Sequence, residues 1–580
     1  MKRKFTILVG ALLALSISAS AQLAATLNWA HSVQGQTTSG NSPISINKLA
    51  DGNYIVFSEW GSKSDAGAEY LHFDNAATSF KGGEYTGNSY CANALIQKTS
   101  PADGSVLWTV YSNYGYINSG CSHVSPTADG GFVATFEARA LVPAKDFNNK
   151  KLLSVVQADG NNYDIAFDTE LYVGSSNTEA ANVILKFDAN GSIEWSRVLR
   201  SKVLTDRTNS PSLTNTSLNT LATDEDGNIY IAGNYRSELY IPKADNTTET
   251  LVCGNTAEWS GDTQTATGEL FIVKLNKNGF FEKSLLTSGK SELSYIDNMT
   301  YAGGKIYFSG HAKKTTDADV LSLDGKTINA SASLQTMFYG AASTADMTVD
   351  YIKTLASVAN SKGSFVIQNK NLKFADGKLY FTGSVNGGFA EDGKSEAFTS
   401  NNGTLLKGFV LKADATTGDI EASYCFADSK SVSAYYGTWI GDKIVATGYD
   451  MNAAVGHVFT VLNKETLAKE ETISVCNTFG SIAMIATPLQ DGNTFVVGNR
   501  GKGETATILN GSETSPLAVG SKSYWGVVYM SYAFNFGTTG IEKTAVADTE
   551  SAKAYNIAGQ RVNPASKGIT IINGRKYLNK

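Results

Sequence analysis

One pattern recurs seven times along the 580 residues and limits the fold more than any other feature: a mixed polar and apolar run, a tight turn, then alternating β-branched or aromatic residues ending near a glycine. The turns fall at Asp51-Gly52, Asp129-Gly130, Asp226-Gly227, Gly303-Gly304, Asp376-Gly377, Gly441-Asp442 and Asp491-Gly492. Asp-Gly favours hairpins because both residues tolerate positive φ, so each copy is expected to form one, as at Leu221 to Gly233. A second hairpin follows most copies, shown by Ile184 to Trp195 and again by Leu95 to Trp108, Phe271 to Lys283, Phe409 to Ser423 and Phe459 to Thr472. Four-stranded units in tandem bury one another's faces as propeller blades. The expected fold is therefore an all-β, seven-bladed β-propeller. The second hairpin of the fourth unit, around Met337 to Leu355, is degenerate, so six or eight blades follow if that unit is misread.

Composition agrees with many short strands: 55 glycines against 9 prolines, with 27 tyrosines, 26 phenylalanines and 42% hydrophobic residues. The ends of the chain complete each other. Leu27 to Val33 matches the outer strand Ile193 to Val198 but has no partner before it, whereas Tyr524 to Phe534 lacks an outer strand after it. Their pairing would close the ring and remove two sheet edges. Seven blades need only about 300 residues. The surplus lies mainly between the first and second hairpins: about Gly61 to Tyr90, Arg139 to Ala181, Arg236 to Leu270, Ala312 to Leu334, Asn386 to Leu406 and Gly501 to Lys522. These connections emerge on one face, either as binding loops or as short hairpins that enlarge each blade.

Lys2-Arg3-Lys4, an apolar run from Phe5 to Ile17 and Ala19-Ser20-Ala21 before Gln22 form the grammar of a cleaved secretory signal over residues 1–21. The domain expectation is a propeller over 22–538 and a linker with a short β tail over 539–580. The product is expected to be exported, to the cell surface, the periplasm or beyond, without a transmembrane segment, and monomeric. Net charge is −6 before the three basic residues leave, which argues against nucleic acid as a partner. The five cysteines, Cys91, Cys121, Cys253, Cys425 and Cys476, include no C-x-x-C pair, and the five histidines show no ligand spacing, so no metal and no cofactor are expected. Cys91 with Cys121 is the first disulfide to check, against buried free thiols. Asp224-Glu225-Asp226-Gly227-Asn228 begins like a calcium loop, but Tyr235 stands where the bidentate Glu belongs, and a plain turn explains it better.

The composite unit, Asp226 to Gly233 followed after a spacer by Phe271 to Gly279, resembles the bacterial SBBP-type β-propeller repeat of exported proteins, over roughly residues 25–535. The resemblance implies a propeller on a secreted or surface protein and carries no shared enzymatic residues. Tyr555 to Val562, followed by Lys567 to Lys576, resembles the C-terminal tail of type IX secretion substrates, with Asn556 and Gln560 where that pattern carries Asp and Arg.

No G-x-S-x-G, P-loop or Rossmann fingerprint occurs in a suitable context, and no catalytic set is assigned. Aligning the first hairpins places Glu59, Glu137, Asn234, His311, Ser384, Tyr449 and Asn499 at matching positions near the insert-bearing face, with Trp60, Tyr235, Asp450 and Arg500 beside them. The candidate binding residues are Glu59, Trp60, Glu137, Asn234, Tyr235, His311, Tyr449 and Arg500. Carboxylates, amides and aromatic faces together suit sugars; strand capping is the competing explanation. Trp29, Trp108 and Trp195 recur at equivalent outer-strand positions and read as blade packing. The function expected first is a non-enzymatic binding module for a glycan or a surface protein. A glycan hydrolase or lyase using carboxylates such as Glu59 and Glu137, and a structural or adhesive surface component, are the alternatives.

Overall fold

The computed structural model describes residues 24–34, 42–62, 70–73, 76–81, 91–139, 151–166, 180–201, 216–235, 238–254, 259–260, 263–264, 269–359, 366–391, 398–399, 406–426, 436–440, 442–449, 457–476, 489–502, 505–510, 513–518, 525–535, 554–556, 560–562, 568–572 and 575–579. The segment read as an export signal and the side chains of Cys91 and Cys121 lie outside them; Cys253 is buried and Cys425 half-buried. Among the described residues no helix is long and apolar enough to cross a membrane.

Seven antiparallel sheets form the blades of a β-propeller. In blade 1, strands A to D run outward as Ser42–Lys48, Tyr54–Ser62, Cys91–Thr99 and Val106–Tyr114. Blades 2 to 6 repeat the order, with inner strands Tyr116–Pro126, Thr216–Thr223, Ser291–Ala302, Val366–Ala375 and Tyr436–Ile440. Blade 7 runs Leu489–Asp491, Thr494–Lys502 and Trp525–Asn535, and its fourth strand is Ala24–Gln34 from the other end of the chain. Each inner strand neighbours the inner strand of the next blade, round to blade 1. Asn28 Nδ2 donates to Ser531 Oγ at 3.2 Å within blade 7.

The A-to-B turns follow the local chemistry in two ways. At Asp376-Gly377 and Gly303-Gly304 both residues have positive φ, as two-residue hairpins require. In blade 2 only Gly130 does (φ 90°), and Asp129 accepts the Gly131 N–H at 3.0 Å, closing a longer loop. The fourth unit is not degenerate: Thr336–Ser343 and Val349–Val358 pair fully. Its turn escapes a search for glycine because Met347 takes the positive φ (58°), which burial of its side chain in the apolar core offsets.

Blades are joined by a repeated contact. Trp29, Trp108 and Trp195 on D strands lie against Gly104, Gly191 and Gly279 in the next blade's C-to-D turn; a Cβ on Gly279 would sit 2.6 Å from the Trp195 ring. Lysines on C strands reach the same turns: Lys98 Nζ donates to the Ala189 carbonyl at 3.0 Å, Lys274 to that of Thr344 at 3.1 Å, and Lys412 pairs with Glu465 at 2.7 Å.

The inserts are hairpins, and each joins the outer edge of the preceding blade rather than its own. Lys151–Val156, which leaves blade 2, pairs with Val106–Tyr114 of blade 1; Glu238–Pro242, which leaves blade 3, pairs with Ile193–Ser201 of blade 2. Tyr70–Phe73, which leaves blade 1, pairs with the N-terminal strand. Among the described residues the sixth unit supplies no hairpin, and blade 5 is a four-stranded sheet. The tail forms its own four-stranded sheet from Ala554–Asn556, Arg561–Val562, Gly568–Ile572 and Arg575–Asn579. Asn556 and Gln560, the two departures from the tail pattern, hold its first turn together: Asn556 Nδ2 donates to Gln560 Oε1 at 3.0 Å and Asn556 Oδ1 accepts the Gln560 N–H at 2.9 Å.

Candidate functional site

Side chains alternate across a strand, so the register of the B strands decides where each candidate points. Glu59 follows Ile55 and Phe57 on the face packed against blade 2, and Glu137 follows Val133 on the face packed against blade 3. Asn234, His311 and Ser384 likewise follow Tyr230, Tyr307 and Tyr380, which sit in the cores shared with the next blade. The aligned positions thus share one level of the ring, but each lies in a different seam. Glu59 and Glu137 are separated by the sheet of blade 2, which does not bring them to one glycosidic bond as a general acid and base require.

Trp60 and Tyr235 point the opposite way, into the apolar seams with the preceding blades. They are 2% and 0% exposed. The Tyr235 hydroxyl donates to Glu269 Oε2 at 3.0 Å, and Glu269 Oε1 accepts the Gly254 N–H at 3.0 Å, which anchors the exit of the insert hairpin. Burial, then the charge of Glu269, raises the Tyr235 pKa. Tyr449 and Arg500 hold their strand registers opposite His457 and Val527; their side chains lie outside the described residues.

A feature missed in the sequence shapes this level. The inner strands of blades 1, 3, 4 and 5 each carry one extra residue at the same register, Ile44, Asn219, Asp297 and Lys370, and blade 2 has a longer irregularity between Asn118 and His123. Such bulges re-aim side chains. The signal was the glycine that ends the repeat: a Cβ on Gly233 or Gly310, opposite the extra residue, would lie 1.8 or 2.0 Å from the carbonyl oxygen of Ser217 or Tyr295. Gly310→Ala is expected to cost about 1–3 kcal/mol by forcing the strands apart, with the loss read from chemical denaturation. Unchanged stability would show that this close approach is not needed.

In blade 4 the bulge brings Asp297 to His311, whose Nδ1 lies 2.9 Å from Asp297 Oδ2. The Tyr295 ring stacks on His311 at 5.1 Å. Burial opposes charging of the imidazole, but the charge and hydrogen bond of Asp297 outweigh it, and the His311 pKa is raised. His123 in blade 2 behaves oppositely: burial lowers it to about 4 against a backbone hydrogen bond at Leu218, so the ring is neutral at pH 7.

Several buried polar atoms at this level find no hydrogen-bond partner among the described residues. They are His123 Nε2, Thr135 Oγ1 and Asn182 Oδ1 between blades 2 and 3, Asn234 Oδ1 and Ser294 Oγ between blades 3 and 4, Ser309 Oγ and Asn298 Nδ2 between blades 4 and 5, and Ser384 Oγ between blades 5 and 6. Asp224, by contrast, is occupied within its own turn, where Oδ1 accepts the Asp226 and Asn228 N–H groups and Oδ2 accepts the Tyr230 hydroxyl. Among the described residues no three His, Cys, Asp or Glu side chains are placed to hold a metal ion.

No family model and no curated protein matches the sequence. Among solved structures the chain is similar to BamB from Moraxella catarrhalis, at 12% identity over 60% of this chain and 90% of that one with a TM-score of 0.28. It is also similar to a quinohemoprotein alcohol dehydrogenase from Comamonas testosteroni, at 11% identity over 94% of this chain and 79% of that one with a TM-score of 0.38. Likeness at this level transfers neither ligand nor activity.

Proposed function

We propose that this chain is an exported, non-enzymatic binding module that holds a polar saccharide at the inner, insert-side level of its ring. The observation that carries the reading is the run of buried, unpartnered polar atoms in four successive seams. Each would cost about 1–3 kcal/mol if left unsatisfied, so partners from outside the chain, water or ligand, belong there. Hydroxyl, amide and neutral imidazole groups both donate and accept, which matches the hydroxyls of a sugar. The separation of Glu59 from Glu137 favours binding over glycosidic cleavage.

A glycan-array screen of the full chain tests this. At least one saccharide is expected to bind, with about tenfold weaker affinity in Asn234→Ala and no new products after long incubation. A blank array sinks the saccharide reading, and cleaved products would make the chain an enzyme. For the export component, mass spectrometry of the protein recovered from its native host is expected to find Gln22 at the N-terminus; retention of Met1 would overturn it.

A further inference from the structure

The seam between blades 2 and 3 presents hydrogen-bond acceptors without matching donors. The aligned residue of each B strand stands opposite a C-strand residue, which is Ala94, Leu270, Met337, Gly408 and Val528 in blades 1, 3, 4, 5 and 7. In blade 2 it is Asn182, opposite Glu137; the side chain of His457, which holds this position in blade 6, lies outside the described residues. Blades therefore fold without a polar group there, yet Asn182 is 1% exposed.

Its neighbours extend the set. Thr135, also 1% exposed, shares the face of Val133 and Glu137 that packs against blade 3, and His123 lies opposite Thr135. The Asn182 amide nitrogen is spent on the Thr216 carbonyl at 3.2 Å, which leaves Oδ1 buried and without a partner among the described residues. The His123 ring is hydrogen-bonded to the Leu218 backbone in the sense that favours its charged form, as donation to a carbonyl does. Its Nε2 is buried and unpartnered among the described residues, and with the proton of the neutral ring held at Leu218 it can only accept. Asn182 Oδ1 also can only accept, and the unpartnered Thr135 hydroxyl completes the set with one hydrogen. His123 belongs to the inner strand and is half-buried, so the cluster is approached from the centre of the ring.

A hydroxyl brings one hydrogen and two lone pairs, a poor ratio for two acceptor-only atoms beside a single hydroxyl. An amino group brings two or three hydrogens and at most one lone pair, and this match holds whether or not it is charged. We infer that this cluster is an amine-binding subsite and that the saccharide held by the ring is an amino sugar. The inference rests on the saccharide reading and narrows it to a substrate class.

The five histidines, His31, His72, His123, His311 and His457, allow a selective test. In the 15N-histidine-labelled full chain, with His123 assigned through His123→Gln, glucosamine is expected to shift the His123 Nε2 signal saturably, and glucose is expected to leave it in place. Asn182→Leu, which installs the residue that blade 3 carries as Leu270, should weaken glucosamine at least tenfold without lowering the melt. If the melt falls, Thr135→Ala, matching Ala232 of blade 3, replaces it. A His123 signal unmoved by glucosamine, moved equally by glucose, or glucosamine affinity unchanged by loss of the acceptors overturns the inference and leaves the cluster to water. Manganese broadening the His123 signal while glucosamine leaves it in place would also overturn it, in favour of a metal site. Neutral glycans bound on the array with glucosamine silent would sink only this inference. A blank array with ethylamine moving His123 saturably would sink the saccharide reading and leave the amine subsite standing.

Discussion

Deletion of residues 22–35 is expected to lower the melting temperature by about 10 °C or more. The strand Ala24–Gln34 is the fourth strand of blade 7, and it buries Trp29 and Val33 in the seam with blade 1. Burial of side chains of this size is worth about 1.5–3 kcal/mol each. Trp29 also donates from Nε1 to the Pro101 carbonyl at 3.1 Å and covers the Gly104 turn. The hairpin that begins at Tyr70–Phe73 loses the strand it docks on, and two sheet edges open at once. A total near 5 kcal/mol, at about 2 °C or more per kcal/mol for domains of a few hundred residues, gives the expected shift. Differential scanning calorimetry of the full and shortened chains reads it. A melt within about 2 °C of the intact chain, the shift expected from about 1 kcal/mol, would show that the ring holds without this strand.

Trp60→Ala is expected to cost about 3–5 kcal/mol, as truncation of a buried tryptophan does. Trp60 packs with Trp29, Tyr54, Val56, Leu95, Val496 and Val527 in that same seam. Its indole N–H has no hydrogen-bond partner among the described residues. Trp60→Phe, which removes that orphaned donor and keeps most of the ring, should therefore stay within about 1.5 kcal/mol of the native chain. Urea denaturation separates the two variants. An alanine variant of native stability would return Trp60 to the list of ligand contacts. Deletion of residues 22–35 and Trp60→Ala should also be less than additive when combined, because both disrupt one seam.

Trp60 illustrates why the candidate site was only partly legible. In a half-buried sheet, alternation separates the wet face from the dry one, but both faces of a propeller blade pack on neighbours. Glu59 and Trp60 are adjacent in sequence and both buried, yet one faces blade 2 and the other blade 7. The matching level of Glu59, Glu137, Asn234, His311 and Ser384 was readable because the repeat aligns them. Asp297 was not readable as the partner of His311, because the extra residue that delivers it breaks the register on which alignment depends.

Most strands and turns and the number of repeating units were determined by the sequence alone, since turn chemistry and strand patterning act over a few residues; the Met347 turn of the fourth unit was the exception. Only the tertiary structure decided that each insert crosses to the preceding blade, that Trp60 and Tyr235 belong to the core, and that Asp297 meets His311. These are contacts between elements whose pairing depends on which edge or face is free when the ring closes, and no local pattern encodes that choice.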